Sequence, residues 1–328
     1  MNLKDTLEIF IITYNRKPYL QKTFDQIFSE NSPIKDLKIT ILDNKSTDGT
    51  SELIEEYIKI FHNIRHIVHS YNIGGNANIA RAFETASSKF VWIICDDDEY
   101  DFSYWNEVQN AIDEEKNLIV VANYLKPKES KVNLIKQLTF VPAGIYKVSN
   151  FNSTMMINMH YCISSMFPQM AIFADIINKQ KEIYICQHWC VRMKVNEDAA
   201  YTRGVTGFPH PYMKDCFWHS GFATAIQLFE NKNLRKELMD NIDLDGQKGF
   251  RCMVKLASIS YEQYNNRIRN LFDLFSACSA QQKISLILAI LYYYILLIHI
   301  CKIKIFLKKQ LKKSPFLFDL AKRFLGKK

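Results

Sequence analysis

The 328-residue chain is short of the residues that staple or punctuate small folds, with 10 glycines, 8 prolines and 8 cysteines. No two cysteines form a CxxC pair. Cys186 and Cys190 flank His188, but no second ligand pair stands nearby, so buried reduced thiols fit better than zinc. The chain has no GxxxxGKS/T loop, which disfavours a P-loop kinase or ATPase. No GxGxxG follows the first strand, which disfavours a dinucleotide oxidoreductase. A basic body is also missing. The formal charge is +8, yet Lys302–Lys328 alone carries ten Lys/Arg against Asp319, leaving residues 1–301 at a net −1. That distribution speaks against a nucleic-acid-binding surface. Leu7–Thr13 is too short and lacks the basic flank of a signal peptide, so a cytoplasmic, reducing location is expected.

What is present is an apolar run that ends in acid, FVWIICDDDEYD at Phe90–Asp101. The run is short, β-branched and aromatic, which predicts a buried strand. Its carboxyl end then holds Asp96, Asp97 and Asp98, where open α/β sheets place ligands. Adjacent carboxylates repel, and burying them unpaired is costly. A hard divalent cation, Mn²⁺ or Mg²⁺, is the simplest compensation, and a solvated acidic turn is the alternative.

The preceding residues alternate. Strands are expected at Leu7–Ile12, Leu37–Leu42 and Ile64–His69. Helices are expected from Pro18 (Leu20, Phe24, Ile27, Phe28 inward), after Thr50 (Leu53, Ile54, Tyr57, Ile58, Phe61) and over Ala77–Ala86, with Ser46 or Thr50 as the cap of the second. The β-α-β-α-β-α-β order implies a parallel sheet. Each strand runs into a polar loop, so Thr13–Arg16, Asp43–Ser46, Asn72–Asn76 and Asp96–Asp98 should gather along one rim.

TYNR at Thr13–Arg16, DNxSTDGT at Asp43–Thr50, NxGG at Asn72–Gly75 and the strand into Asp96–Asp98 resemble, in this order, the family 2 glycosyltransferases of the GT-A fold. The resemblance covers about the first 105 residues. It implies a GT-A-type, Rossmann-like α/β domain with a mostly parallel sheet, followed by a helical C-terminal region. It also implies that Thr13, Tyr14 and Asn15 line a nucleoside pocket and that Asp43 accepts a hydrogen bond from the base edge. Arg16, Asn44, Ser46, Asn72, Gly74 and Asn76 are further donor-binding candidates. Asp96 and Asp97 would contact ribose, sugar or metal, with Asp98, then Asp96, as metal ligands. The chemistry agrees: a departing nucleoside diphosphate develops negative charge that a divalent cation neutralises.

The second half is less legible. Asp101–Lys116 and Phe167–Ile177 are expected as helices, Leu118–Asn123 and Glu182–Cys186 as strands, and Ala143–Tyr146 as a turn. Cys162–Phe167 reads as a small-residue strand or strand end, and Thr224–Met239 as one helix. Residues 1–125 are expected to form a nucleotide-sugar half, 126–270 an acceptor half and 271–328 an apolar, basic tail. An inverting transfer needs a general base, and Asp198 and Asp215 are its candidates, ahead of Asp175 and Glu197. Ile284–Cys301 is an 18-residue run without formal charge followed by interspersed lysines, which suits a helix lying in an anionic leaflet; a spanning helix and a packed helix are the alternatives.

Together these readings predict a metal-dependent glycosyltransferase, peripheral on the inner face of the cell membrane. It would move one sugar, most simply from a UDP-sugar, to a surface-glycan or lipid-linked acceptor, with no nucleic-acid partner. The competing readings are a sugar-phosphate nucleotidyltransferase, against which the absence of a GGxGTR-type loop counts, and a non-catalytic scaffold of the same fold.

Overall fold

A computed structural model describes residues 2–123, 125–194, 215–241 and 283–292. After a single helical turn, α1 (Leu3–Thr6), the chain alternates as its hydrophobic pattern predicts: β1 (Leu7–Thr13), α2 (Lys17–Ile27), β2 (Lys38–Asp43), α3 (Thr50–Ile58), β3 (Ile64–Val68), α4 (Gly75–Thr85) and β4 (Phe90–Cys95). Pro18 sits in the first turn of α2, where its missing N–H costs nothing. Leu20, Phe24 and Ile27 form its buried face. Neither expected cap starts α3. Gly49 takes the N-cap position at φ +87°, and Asp48 Oδ1 accepts from the Thr50 N–H at 3.1 Å.

Among the described residues seven strands form one sheet, in the order β3-β2-β1-β4, then β7 (Gly144–Lys147), β6 (Leu118–Val120) and β8 (Ile183–Ile185). The first four are mutually parallel. The central β4 lies between β1 and β7 with Phe90–Ile94 fully buried, which explains its unbroken apolar run. The other half is mixed: β7 (Gly144–Lys147) runs antiparallel to both β4 and β6 (Leu118–Val120), and β8 (Ile183–Ile185) is parallel to β6. Helices α5 (Trp105–Asp113), α6 (Lys131–Gln137), α7 (Ser153–Cys162) and α8 (Met170–Asn178) complete this half.

Several elements depart from what the sequence pattern predicts. Ala143–Tyr146 is no turn. A 3-10 turn at Val141–Ala143 leads into β7, and Gly144 is small for packing reasons, since an added Cβ would lie 2.9 Å from the Tyr146 ring. Asp101 does not open a helix. A short strand, β5 (Glu99–Tyr100), pairs with β9 (Val191–Arg192), the Asp101 carboxylate accepts from the Ser103 N–H, and α5 starts only at Trp105. Cys162–Phe167 holds a 3-10 turn, Ile163–Ser165, in place of a strand. Thr224–Met239 is broken. Helix Asp215–Ile226 ends, and a second helix, Lys232–Asp240, is started by Asn231, whose side chain accepts from the N–H groups of Asn233 and Leu234.

The described part of the tail is a helix over 283–292. Leu286 and Ala289 are fully buried, whereas Ile284, Ile287, Leu288, Leu291 and Tyr292 are about half exposed or more. These five recur at helical spacing and make one apolar stripe. Among the described residues no helix is long and apolar enough to cross a membrane.

Candidate active site

The parallel strands deliver their polar ends side by side, with Thr13 opposite Asp43 and Ile12 opposite Cys95. Strand order reverses between β1 and β4, and at that switch point the acidic turn meets the loop after β1. Thr13 Oγ1 donates to Asp96 Oδ2 at 2.7 Å, and Arg16 Nε donates to Asp96 Oδ1 at 2.7 Å. Arg16 Nη2 reaches Asp97. Asn15, at φ +51°, provides the bend that lets Arg16 turn back toward β4.

Countercharge for the acidic cluster is therefore partly internal, a compensation the sequence reading assigned to a cation. Arg16 pairs with Asp96 and Asp97, two of the three. Burial drives the Asp96 carboxyl upward, against the pull of Arg16 and the Thr13 hydroxyl. Asp98 is different. It is 4% exposed, and its Oδ2 is buried without a hydrogen-bond partner. Burial, and then the charge of Asp97, push its carboxyl up to about 8. Gln26 of α2 braces the turn from below, its side-chain N–H donating to the Asp98 carbonyl at 3.2 Å and its carbonyl accepting from Tyr100 N at 2.9 Å.

The loops after β2 and β3 are organised by buried polar groups. Asp43 is fully buried. Its Oδ1 accepts from Ser46 N and Oγ, and its Oδ2 accepts from Ser51 Oγ. Ser46 Oγ in turn accepts from Asn15 N at 2.8 Å, and Asn15 Oδ1 accepts from Thr47 N, so the first two loops are laced together. Burial acts to raise Asp43, but His66 and the two serine hydroxyls outweigh it and hold the carboxyl below its usual value. Asn44 donates to Asn72 Oδ1 and accepts from Ile73 N, while Asn72 Oδ1 also accepts from Gly74 N, where φ is +84°.

The structure thus brings together Thr13, Asn15, Arg16, Asp43, Asn44, Ser46, Asn72, Gly74, Asp96, Asp97 and Asp98. Tyr14 is half-buried at the same strand end. Asn76 faces elsewhere, donating to the Ile163 carbonyl beyond α7. Asp198 and Glu197 lie outside the described residues, Asp215 begins a helix, and Asp175 pairs with Lys179 one turn along α8. Sequence reasoning missed Gln26, Ser51 and His66. Only His66 carried a signal, because its two-residue spacing from Ile64 puts it on the inward face of β3. Cys186 and Cys190 are free, buried thiols, as expected, and His188 stacks on Tyr104 with ring centroids 3.5 Å apart.

A divalent cation fits this donor set. Asp98 offers a buried, unpartnered carboxylate oxygen, and a Mg²⁺-type site takes one or two protein carboxylates plus substrate phosphates. Both Asp96 oxygens are already bonded, which makes Asp96 the weaker candidate. Among the described residues no group of three or more His, Cys, Asp or Glu side chains forms an all-protein metal cage.

Known proteins resemble the chain in both sequence and fold. Abequosyltransferase RfbV of Salmonella typhimurium is 35% identical over 89 residues, 27% of each chain. GalNAc(5)-diNAcBac-PP-undecaprenol beta-1,3-glucosyltransferase of Campylobacter jejuni is 32% identical over 94 residues, 28% of this chain and 30% of that one. The chain thus spans less than a third of the length of either relative. The fold is shared with S. aureus TarS 1-349 in complex with UDP, at a TM-score of 0.56 and 16% identity, over 84% of this chain and 82% of that one. Residues 8–176 match the family described as Glycosyl transferase family 2. Because that match begins at the second residue of β1 and runs past the acidic turn into α8, over more than half of the chain, this protein belongs to glycosyl transferase family 2.

Proposed function

We propose that the protein transfers one sugar from a nucleotide-sugar donor, a UDP-sugar, to a surface-glycan or lipid-linked acceptor, with inversion and with a divalent metal. The observation that carries the reading is the meeting of Thr13 and Arg16 with Asp96 and Asp97 at the switch point, beside the unpartnered carboxylate of Asp98. The described UDP complex of TarS supports uridine, and the undecaprenol-linked substrate in the name of the Campylobacter relative supports a lipid-linked acceptor.

In this reading Asp43, held by Ser46 and Ser51, accepts from the base edge, and Thr13 to Asn15 line the nucleoside. Arg16 fixes Asp96 and Asp97 toward ribose and sugar. Asp98 would hold Mn²⁺ or Mg²⁺, which supplies charge neutralisation for the departing diphosphate. Asp198 or Asp215 would deprotonate the acceptor hydroxyl. The exposed stripe on helix 283–292, followed by the basic segment 302–328, would rest on the anionic inner face of the cell membrane.

The test is incubation with a panel of UDP-sugars, Mn²⁺ and extracts of lipid-linked glycans, read by mass spectrometry. A glycoside plus UDP supports the reading. Release of pyrophosphate identifies a nucleotidyltransferase instead, and no turnover with any donor leaves a scaffold.

A further inference from the structure

We propose that His66 is a positioning residue of the nucleotide site, an imidazolium that bridges Glu55 and Asp43 and fixes the Asp43 carboxylate for the base. The inference rests on the donor reading above. His66 lies on β3, opposite Ile41 of β2, and its side chain is 6% exposed. Its Nδ1 is 2.9 Å from Glu55 Oε1 of α3, and its Nε2 is 3.7 Å from Asp43 Oδ2 of β2. These two carboxylates are the charged groups that meet it from the neighbouring elements among the described residues.

Proton counting selects the cation. The 2.9 Å contact with Glu55 requires the proton on Nδ1, so a neutral ring would turn a bare Nε2 lone pair toward Asp43. The other tautomer turns a lone pair toward Glu55. Only the doubly protonated ring faces both carboxylates with N–H groups. Nε2 is buried, has no hydrogen-bond partner and lies 3.7 Å from Asp43 Oδ2, just beyond bonding distance, so a small closure would complete the contact.

Asp43 passes this order onward. Its other oxygen holds Ser46, and Ser46 accepts from Asn15 N, so a chain of contacts runs from Glu55 through His66 to the loop after β1. Burial pulls the His66 pKa down, but Asp43 and then Glu55 outweigh it, and the net direction is up. Donor affinity should therefore be greatest while His66 is charged and Asp43 ionised, and should fall as pH rises through the raised His66 pKa.

Two measurements on the full chain test this. The first is NMR titration of the histidine ring carbons, with the His66 signal assigned from its absence in His66→Gln. His66 should titrate above the ordinary histidine value of about 6.5 and drop in Asp43→Asn. A value at or below the ordinary one in the wild type overturns the proposal. The second is calorimetry with UDP at pH 6 and pH 8.5 for wild type and His66→Gln. The titration of the UDP phosphate is common to both proteins and cancels in the ratio of their affinities. His66→Gln should bind roughly three- to tenfold more weakly at pH 6, the size expected for losing charge assistance to one contact, and the two should converge at pH 8.5. A ratio that does not change with pH overturns the positioning role even if UDP binds. If the wild type binds no UDP while His66 titrates high and responds to Asp43→Asn, the donor reading has failed, and the role in nucleotide binding falls with it.

Discussion

Single residues divide the acidic turn into a braced part and an open part. Asp96 and Asp97 are held by Arg16, and Asp98 Oδ2 is held by nothing among the described residues. Asp98→Asn should therefore keep the fold while lowering transfer about a hundredfold or more, checked by initial rates at limiting Mn²⁺ beside a thermal melt. Arg16→Gln should do the reverse to stability. It leaves the buried Asp96 beside Asp97 without a countercharge, at a cost of about 3–5 kcal/mol, and urea unfolding should show a smaller loss at pH 5 than at pH 8, because burial raises the Asp96 carboxyl and its charge is lost at the lower pH. His66 adds a pH dependence of its own. Its folded pKa lies above the unfolded value, so its contribution to stability is complete below about pH 6.5 and is lost as pH rises through the folded pKa. The melting temperature should step down there, and His66→Gln should remove the step. Much of this site was legible because Thr13 and Asp43 end an apolar strand and Asn72 and Asp96 follow one. The bracing residues were not, since Gln26 reads as one polar residue on a helix, and nothing local marks it as the partner of a turn about seventy residues on.

Elements were legible in proportion to how cleanly one face was buried. The four parallel strands, α2 and α3 have apolar runs or stripes, and their expected limits agree with the observed ones to within a few residues. Helix α7 is less legible, because its buried stripe of Met155, Met159 and Cys162 is matched by exposed Ile157 and Tyr161 on the other side, which blurs the periodicity. The strand β7 is four residues long and starts with glycine, so its pairing partners, which are distant in sequence, are what make it a strand. Helix Asp215–Ile226 depends on a similar close approach. A Cβ on Gly221 would lie 2.0 Å from the Ser165 carbonyl oxygen, which is backbone and cannot rotate away. Gly221→Ala should destabilise the protein by about 1–3 kcal/mol or more, measurable as a lowered urea midpoint.

For the molecule as a whole, helix 283–292 buries Leu286 and Ala289 in the core and leaves an apolar stripe exposed. Leu286 and Ala289 are buried, so truncation before residue 283 should uncover apolar surface, whereas truncation after residue 292 removes the +9 segment and keeps that packing. The protein ending at residue 292 should bind UDP like the full chain but lose salt-sensitive cosedimentation with anionic vesicles, each lysine contributing on the order of 1 kcal/mol there. Equal cosedimentation of both proteins would exclude the basic segment as the anchor. The strand order has a further effect, on the timing of synthesis. As the chain leaves the ribosome, β3, β2, β1 and β4 can assemble once Cys95 has emerged, but β4 then offers its fully apolar far edge to any neighbour. The strand that closes this edge, β7, arrives some fifty residues later and lies between β4 and the already synthesised β6. A nascent chain paused near residue 125 therefore carries β6 with no partner and an open β4 edge, the state most exposed to strand-to-strand aggregation. The interval between the emergence of residue 96 and that of residue 147 is where this fold would most need a chaperone.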